Sequence, residues 1–129
     1  MKEITNLIIR EYRLNGIDFM GYRFNRYNAS YHHLIVPRRL GGKESVENGV
    51  VLNGKSSHPY LHIVEGRDYE MFKAITEEMI KEKELGRLDR SSLKRIDDIL
   101  SCFEREHSSD TTSKGKVLIK DEFVRGRRF

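Results

Sequence analysis

The chain has 129 residues, of which 37% are hydrophobic and 34% are charged. This length suits one domain with a single modest core, and no apolar run approaches the ~20 residues that a membrane-spanning helix needs. The first residues lack the apolar stretch of a secretory signal, and the lone Cys102 excludes an internal disulfide and a cysteine-based zinc site. We therefore expect a cytoplasmic protein without membrane contacts, in which His, Asp or Glu would hold any metal.

The formal net charge of +4 is distributed unevenly along the chain. Residues 1–63 carry nine basic and five acidic side chains, residues 64–110 carry nine and thirteen, and residues 111–129 carry six and two. Basic segments favour polyanionic partners, because binding releases counterions. The distribution favours a nucleic acid as the partner, with a solvated surface of mixed sign as the equal alternative.

The first half of the chain predicts a helix followed by a β-hairpin. Apolar residues at helical spacing predict a helix over residues 3–14, which Asn15-Gly16 ends. Residues 17–24 are rich in β-favouring side chains and are expected to be extended. Strands are predicted at residues 30–36, where Pro37 ends the run, and at residues 49–53. Together they form a hairpin with a long polar loop.

The second half predicts helices. Pro59 favours a helix start, and apolar stripes predict one helix over residues 59–84, capped by Gly86. Another helix is predicted to start near residue 89 or 91 and to run to residue 106. The composition of residues 107–115 is that of a linker, and the last residues predict a short strand and a basic tip. The predicted fold class is α+β, with one domain over residues 1–106, a core at about residues 30–84, and a linker and basic C-terminal tail over residues 107–129.

Four of the five histidines fall between positions 32 and 62. On a strand, His32 and His33 point to opposite faces, so one can ligate a metal while the other stays free as a general base. On a helix, His58 and His62 lie one turn apart and can converge on the same ion. Three imidazoles leave coordination positions open for water or substrate, as in a catalytic metal site. The pattern predicts such a site, and incidental histidines are the alternative.

Asn48 stands between the two histidine pairs and has two interpretations. Asn48-Gly49 is a strong turn signal, and the local pattern alone favours a turn. In the functional interpretation, the Asn48 amide fastens the long hairpin loop and holds the strand that carries the general base.

The segment YHHLIVPRRLGGKESVENGVVLNGKSSHPYLH resembles the HNH, or ββα-metal, nuclease motif of nuclease colicins and phage-encoded endonucleases. A histidine doublet, a loop with Pro and Gly-Gly, an Asn near the second strand and His-x-x-x-His occur in the family's order, within residues 31–65. The resemblance implies a long-looped hairpin packed on a helix, here with an N-terminal and an additional C-terminal helix. The Cys-x-x-Cys pairs that flank the motif in many members are absent. Residue by residue, it implies His32, His58 and His62 as metal ligands. It implies His33 and Asn48 as catalytic residues.

The resemblance also implies a reaction, the hydrolysis of a DNA phosphodiester. His33 would take a proton from the attacking water, while one divalent cation polarises a phosphate oxygen and stabilises the leaving 3′ oxygen, which gives 5′-phosphate ends. Three nitrogen ligands favour zinc, nickel or manganese, although magnesium often supports the family. One metal site is expected to nick one strand. Cutting both strands would need a homodimer, or two successive binding events by one subunit.

Substrate contacts are expected from basic side chains in the first segment. Arg38 and Arg39 lie in the hairpin loop, and weaker candidates are Arg23, Arg26 and Lys43. The predicted helix at 89–106 has no basic recognition face, which favours low sequence specificity. A phage origin fits by analogy alone.

The alternative function is a non-catalytic nucleic-acid-binding module in which the same histidines hold a structural zinc. Glu65 could hydrogen-bond a ligand imidazole, and exposed helix surface is the more common role of such a glutamate.

Overall fold

The structure, a computed structural model, describes residues 2–110 and 118–127. A two-stranded antiparallel hairpin and five α-helices confirm the predicted α+β class. None of the helices in these ranges has the length and apolar character that crossing a bilayer demands. The elements in chain order are α1 (Glu3–Glu11), β1 (Ala29–His33), a 3₁₀ turn (Arg38–Leu40), β2 (Gly49–Asn53), α2 (Ser57–Arg67), α3 (Tyr69–Leu85), α4 (Arg90–His107) and α5 (Asp121–Arg125).

The hairpin lies at the centre of the fold. β1 and β2 pair with Ala29 opposite Asn53 and His33 opposite Gly49. The first four residues of β2 are buried, because α1 and α2 both pack against this strand. Gly49 is required where the ring of Tyr31 crosses it, since a Cβ there would lie 2.1 Å from that ring.

The helices complete a single core. α3 packs against both α2 and α4, so the hairpin and the helices share one set of buried side chains. A core of this kind fixes the hairpin relative to α2, and the histidines of both elements with it. Its fully buried members include Ile8, Phe19, Val50, Val51, Leu52, Tyr60, Leu61, Val64, Ile75, Met79, Ile96, Leu100 and Phe103.

The single helix predicted over residues 59–84 is wrong, because the chain breaks at Asp68. This residue has φ −150° and ψ 88°, and its side chain accepts a hydrogen bond from the backbone N–H of Met71. Asp68 is therefore the N-cap of a second helix, α3. Apolar side chains continue at helical spacing on both sides of the break, which is why the pattern indicated one helix. Gly86, with φ 75°, caps the C-terminus of α3 as predicted.

Two predictions for the first 24 residues are also corrected. α1 ends at Glu11 instead of residue 14, and Arg13 adopts φ 52° in the turn that follows. Residues 17–24 form a turn closed by an isolated bridge between Ile17 and Arg23, and a second isolated bridge joins Tyr22 to Arg127, so the segment is not a continuous strand. The carboxylate of Asp18 accepts the N–H groups of Met20 and Tyr22, and this local pairing competes with an extended chain.

The C-terminal residues differ from the prediction as well. Residues 121–125 form the short helix α5 where a strand was expected, and Phe123 is buried with its ring stacked on Tyr60 at 4.8 Å. Of the linker predicted over residues 107–115, residue 107 still belongs to α4, and residues 111–115 lie outside the described residues. Arg127, assigned to a basic tip, instead lies against α4: its guanidinium pairs with Glu104 and, at 2.7 Å, with Asp97.

Candidate metal centre and its groove

Three histidines converge at the interface between the hairpin and α2. β1 supplies His32, and two successive turns of α2 supply His58 and His62. Their ring centroids lie 5.0 to 5.4 Å apart, and one nitrogen of each ring lies within 4.8 Å of the others. This group, called the histidine cluster below, could hold a metal ion, as the spacing of the histidines predicted.

The geometry of the histidine cluster fits a small divalent ion. Nδ1 of His32 lies 3.3 Å from Nε2 of His58. Two nitrogens that each lie 2.0–2.1 Å from a tetrahedral ion are about 3.3 Å apart. The two side chains therefore already have the separation that shared ligation requires.

Two polar neighbours orient the helical ligands. The hydroxyl oxygen of Ser30 lies 2.7 Å from Nδ1 of His58, and the carboxylate of Glu65 lies 3.0 Å from Nδ1 of His62. Since Nδ1 is engaged in both rings, Nε2 is the nitrogen left for a metal. Partners of this type hold a ligand imidazole in one orientation and raise its basicity. Glu65 therefore makes the less common of the two contacts that its position, three residues after His62, allowed.

Burial keeps two members of the cluster uncharged. His32 is 5% exposed, and burial, with the neighbouring imidazoles as a smaller cause, lowers its pKa to about 3. Burial likewise lowers the pKa of His58 to about 4, together with repulsion from His62 and His33. Both rings are thus neutral near pH 7, and a neutral imidazole has the lone pair that a metal accepts.

His33 lies on the other face of β1 from the histidine cluster. Its ring makes an edge contact with Tyr31 at a centroid distance of 4.9 Å, and it lines the same groove as the cluster. Among the residues that the structure describes, none forms a hydrogen bond with its imidazole. The strand alternation therefore separates the doublet as predicted, with one histidine in the cluster and one unengaged beside it.

Asp18 fixes the turn between β2 and α2, and sequence reasoning missed it. Its buried carboxylate accepts hydrogen bonds from the Asn53 N–H at 2.8 Å and from the Ser57 hydroxyl. Burial raises the pKa of this carboxyl to about 6, against the lowering effect of its hydrogen-bond donors. Because Ser57 immediately precedes His58, Asp18 helps to place that histidine. An aspartate inside the apolar run IDFMGY was the available signal.

The side chain of Asn48 closes the hairpin loop. Its Oδ1 accepts the N–H groups of Ile35 and Val36, and its Nδ2 donates to the carbonyls of Val36 and Lys43. Gly42 packs tightly here, since a Cβ on it would lie 1.9 Å from the Val36 oxygen. The amide thus fastens the loop directly after His33, and it does not line the groove. These contacts match the interpretation in which the Asn48 amide fastens the hairpin loop, and not a simple turn.

A groove of about 730 Å³ extends from the histidines between the hairpin loop and the first turns of α3. Arg38 and Arg39 line it. Lys43, a weaker candidate, does not, and Arg23 lines a separate pocket of about 470 Å³. The groove is also lined by five α3 residues that sequence reasoning missed, because the pattern did not indicate the break at Asp68. They are Tyr69, Phe72, Lys73, Thr76 and Glu77.

No protein-family model matches the chain. No curated protein and no solved structure is significantly similar to it either. What the site can do must therefore be argued from its own geometry and chemistry.

The charges of the groove nearly cancel. Four basic side chains line it, from the N-terminus, the hairpin loop and α3, together with three glutamates. Two of these glutamates are engaged: Glu44 pairs with Lys2 at 2.7 Å, and Glu65 contacts His62. The formal charge of the lining is therefore +1 with neutral histidines, before any ion binds.

Proposed function

We propose that the protein is a metal-dependent DNA endonuclease of the HNH type, which hydrolyses phosphodiester bonds in the groove. One observation carries the proposal: three histidine nitrogens converge while a fourth histidine, His33, lines the same groove without a partner among the described residues. The order of the elements supports it, since a histidine doublet on β1 precedes a histidine pair on α2. The same order characterises the ββα-metal motif that the sequence resembles.

The residues present fit a borderline divalent ion such as zinc, nickel or manganese, because all three donors are neutral nitrogens. Magnesium would take most of its ligands from water and phosphate oxygens. When bound, a divalent ion supplies positive charge that stabilises a phosphate oxygen and the leaving oxygen.

The protein's own residues have separate tasks in this proposal. His33 accepts the proton of the attacking water at a free imidazole nitrogen. Arg38 and Arg39 bind phosphate groups on the strand being cut, as forked donors suited to phosphate oxygens. Asn48 keeps the loop that carries both arginines at a fixed distance from His33, since it bonds the backbone immediately after β1.

The openness of the site favours catalysis over a structural zinc. Structural zinc sites have four protein ligands, whereas three protein ligands with an open position are typical of catalytic zinc. The side chain of His62 is 52% exposed, so one side of the cluster faces the groove. A structural zinc also gives no role to an unengaged histidine beside it.

Plasmid relaxation tests the proposal. Purified protein with manganese, nickel, zinc or magnesium should nick supercoiled plasmid, and a chelator should prevent it. His33→Ala should lower the nicking rate by on the order of 10²–10⁴, because a positioned general base is lost. Metal content after equilibrium dialysis should be unchanged in this variant. The matched control is His107→Gln, which replaces a histidine on α4 outside the groove and should leave nicking intact.

Two outcomes would count against an endonuclease. Undiminished nicking by His33→Ala would remove the general base from the mechanism. One tightly bound ion per chain without cleavage of plasmid or oligonucleotides under any metal would instead support the structural-zinc alternative.

A further inference from the structure

The groove beside the histidine cluster carries exposed apolar side chains as well as charges. Tyr69 is 54% exposed, at the start of α3, and Leu40 and Ile35 of the hairpin loop are 68% and 52% exposed. All three line the groove, as does Phe72. Exposed apolar residues that gather at one site and are bordered by charges mark a binding surface.

The aromatic part of this surface is preformed. The rings of Tyr69 and Phe72 lie 5.7 Å apart with an interplanar angle of 31°, and Nζ of Lys73 lies 6.0 Å from the Tyr69 ring centroid. The N-cap at Asp68 starts α3 one residue before Tyr69, and so fixes the backbone that carries this ring. An aromatic ring beside a lysine is suited to a flat π system that carries a nearby negative charge.

Double-stranded DNA matches this lining poorly. A duplex presents phosphates and sugars, and surfaces that bind it are strongly basic. The groove lining, with a formal charge of +1, offers little of that attraction, and its apolar side chains would contact charged backbone. An unpaired base has an accessible face that stacks on aromatic side chains, and sites for single strands combine such rings with a few basic groups.

We propose that the groove binds an unpaired stretch of DNA, with one base stacked on Tyr69 next to the phosphate that lies at the histidine cluster. The assignment rests on the proposed function for the position of that phosphate. It specifies the substrate class: a single strand, or a duplex opened at the site of cleavage. Cutting of intact duplex is then limited by the cost of unstacking a base.

Binding measured without metal tests this apart from catalysis. With a chelator present, fluorescence anisotropy should show a labelled 20-nucleotide strand binding at least tenfold more tightly than the same sequence as a duplex. A 2-aminopurine in the strand should lose fluorescence on binding, because stacking on an aromatic ring quenches it. Tyr69→Ala should abolish the quenching and weaken single-strand binding about tenfold, equivalent to about 1.4 kcal/mol. Tyr69→Phe should retain both properties.

Tyr27→Ala is the matched control, since this tyrosine is 81% exposed and lies outside the groove. It should leave affinity and quenching unchanged. Circular dichroism should show that all three variants remain folded, since both tyrosines are on the surface.

The outcomes separate the two proposals. Duplex binding as tight as single-strand binding would overturn the groove assignment, as would a Tyr69→Ala variant that binds and quenches like Tyr27→Ala. Tighter binding of an RNA strand of the same sequence would overturn the assignment to DNA. If nicking occurs but Tyr69 is irrelevant, the nuclease stands and the groove proposal falls. If single-strand binding depends on Tyr69 but no metal supports cleavage, the nuclease falls and the groove remains a site for unpaired DNA.

Discussion

The histidine cluster and the pairing around Arg127 use ionisable side chains in opposite ways. The Arg127 network consists of Arg127, Asp97, Glu104 and Tyr60. Its guanidinium is bonded to both carboxylates, and Glu104 also accepts the Tyr60 hydroxyl at 2.7 Å. In the histidine cluster, one nitrogen of each of three imidazole rings lies close to the other two, at a position beside a groove.

The Arg127 network and the histidine cluster differ in how many of their polar atoms have hydrogen-bond or ion-pair partners within the protein. The Arg127 side chain is 7% exposed, and its carboxylate partners raise the pKa of its guanidinium against the opposing effect of burial. Such a network holds α4 to the C-terminal segment. In the histidine cluster, Ser30 and Glu65 contact the Nδ1 atoms of His58 and His62 and so orient these rings. The Nε2 atoms of both rings remain for a ligand. A binding site differs from a structural network in this respect: its polar side chains are held in one orientation, but not all of their polar atoms are bonded within the protein.

The largest effect on stability is expected when the Arg127 network is broken. Arg127→Ala leaves Asp97 and Glu104 as largely buried carboxylates without their partner, and loss of one member of a buried pair costs about 3 kcal/mol or more. Urea unfolding should show this loss in the free energy of unfolding. Arg125→Ala is the control, because its pair with Asp121 is almost fully exposed. Equal stability of the two variants would show that the Arg127 network contributes nothing specific.

A smaller effect of opposite sign is expected when metal binds the histidine cluster. An ion at 100 times its dissociation constant should raise the free energy of unfolding by about 2.7 kcal/mol, since it binds only the folded chain. Thermal unfolding with and without zinc or manganese measures the gain. His62→Ala should lose most of it, whereas Arg125→Ala should keep it. The same gain in His62→Ala would place the ion elsewhere in the protein.

The smallest effect is expected at the hairpin loop. Asn48→Ala removes four hydrogen bonds to backbone groups that are partly open to water, so the cost should be about 1–2 kcal/mol. Nicking should fall as well, because the arginines of the loop lose their fixed position, while metal content stays constant. Asn6→Ala on the exposed side of α1 serves as control. Loss of bound metal from Asn48→Ala would contradict a role confined to the loop.

The sequence predicts the histidine cluster well because its signals are local. Strand alternation separates His32 from His33, and helical spacing brings His58 and His62 together, so few long-range facts are needed. The hairpin itself follows from the glycines and two β-favouring runs, although β1 ends at His33 and not at residue 36 before Pro37. The convergence of the three histidines can therefore be predicted from strand alternation, helical spacing and turn signals alone.

What the sequence could not provide depends on tertiary contacts. Asp68 breaks a helix whose apolar pattern continues on both sides, and the groove wall of α3 depends on that break. Asp18 has its effect through Ser57 and Asn53, far along the chain, and Arg127 meets its partners only after α5 folds back on α4. The sequence instead predicts Asp68 inside a helix, Asp18 in an extended segment and Arg127 in a basic tip. Their burial becomes visible only in three dimensions.

The closed base of the hairpin loop has a consequence for how the chain can vary. Asn48 and the tight contact of Gly42 with Val36 fix the points where the loop leaves β1 and returns. The tip in between, Arg38–Leu40, is a single 3₁₀ turn bonded to its own neighbours. Residues at the tip can therefore be exchanged, or the tip lengthened, without moving His33. Under the proposed function, such changes alter Arg38 and Arg39, and with them the contacts to phosphate, while the positions of the histidines are kept.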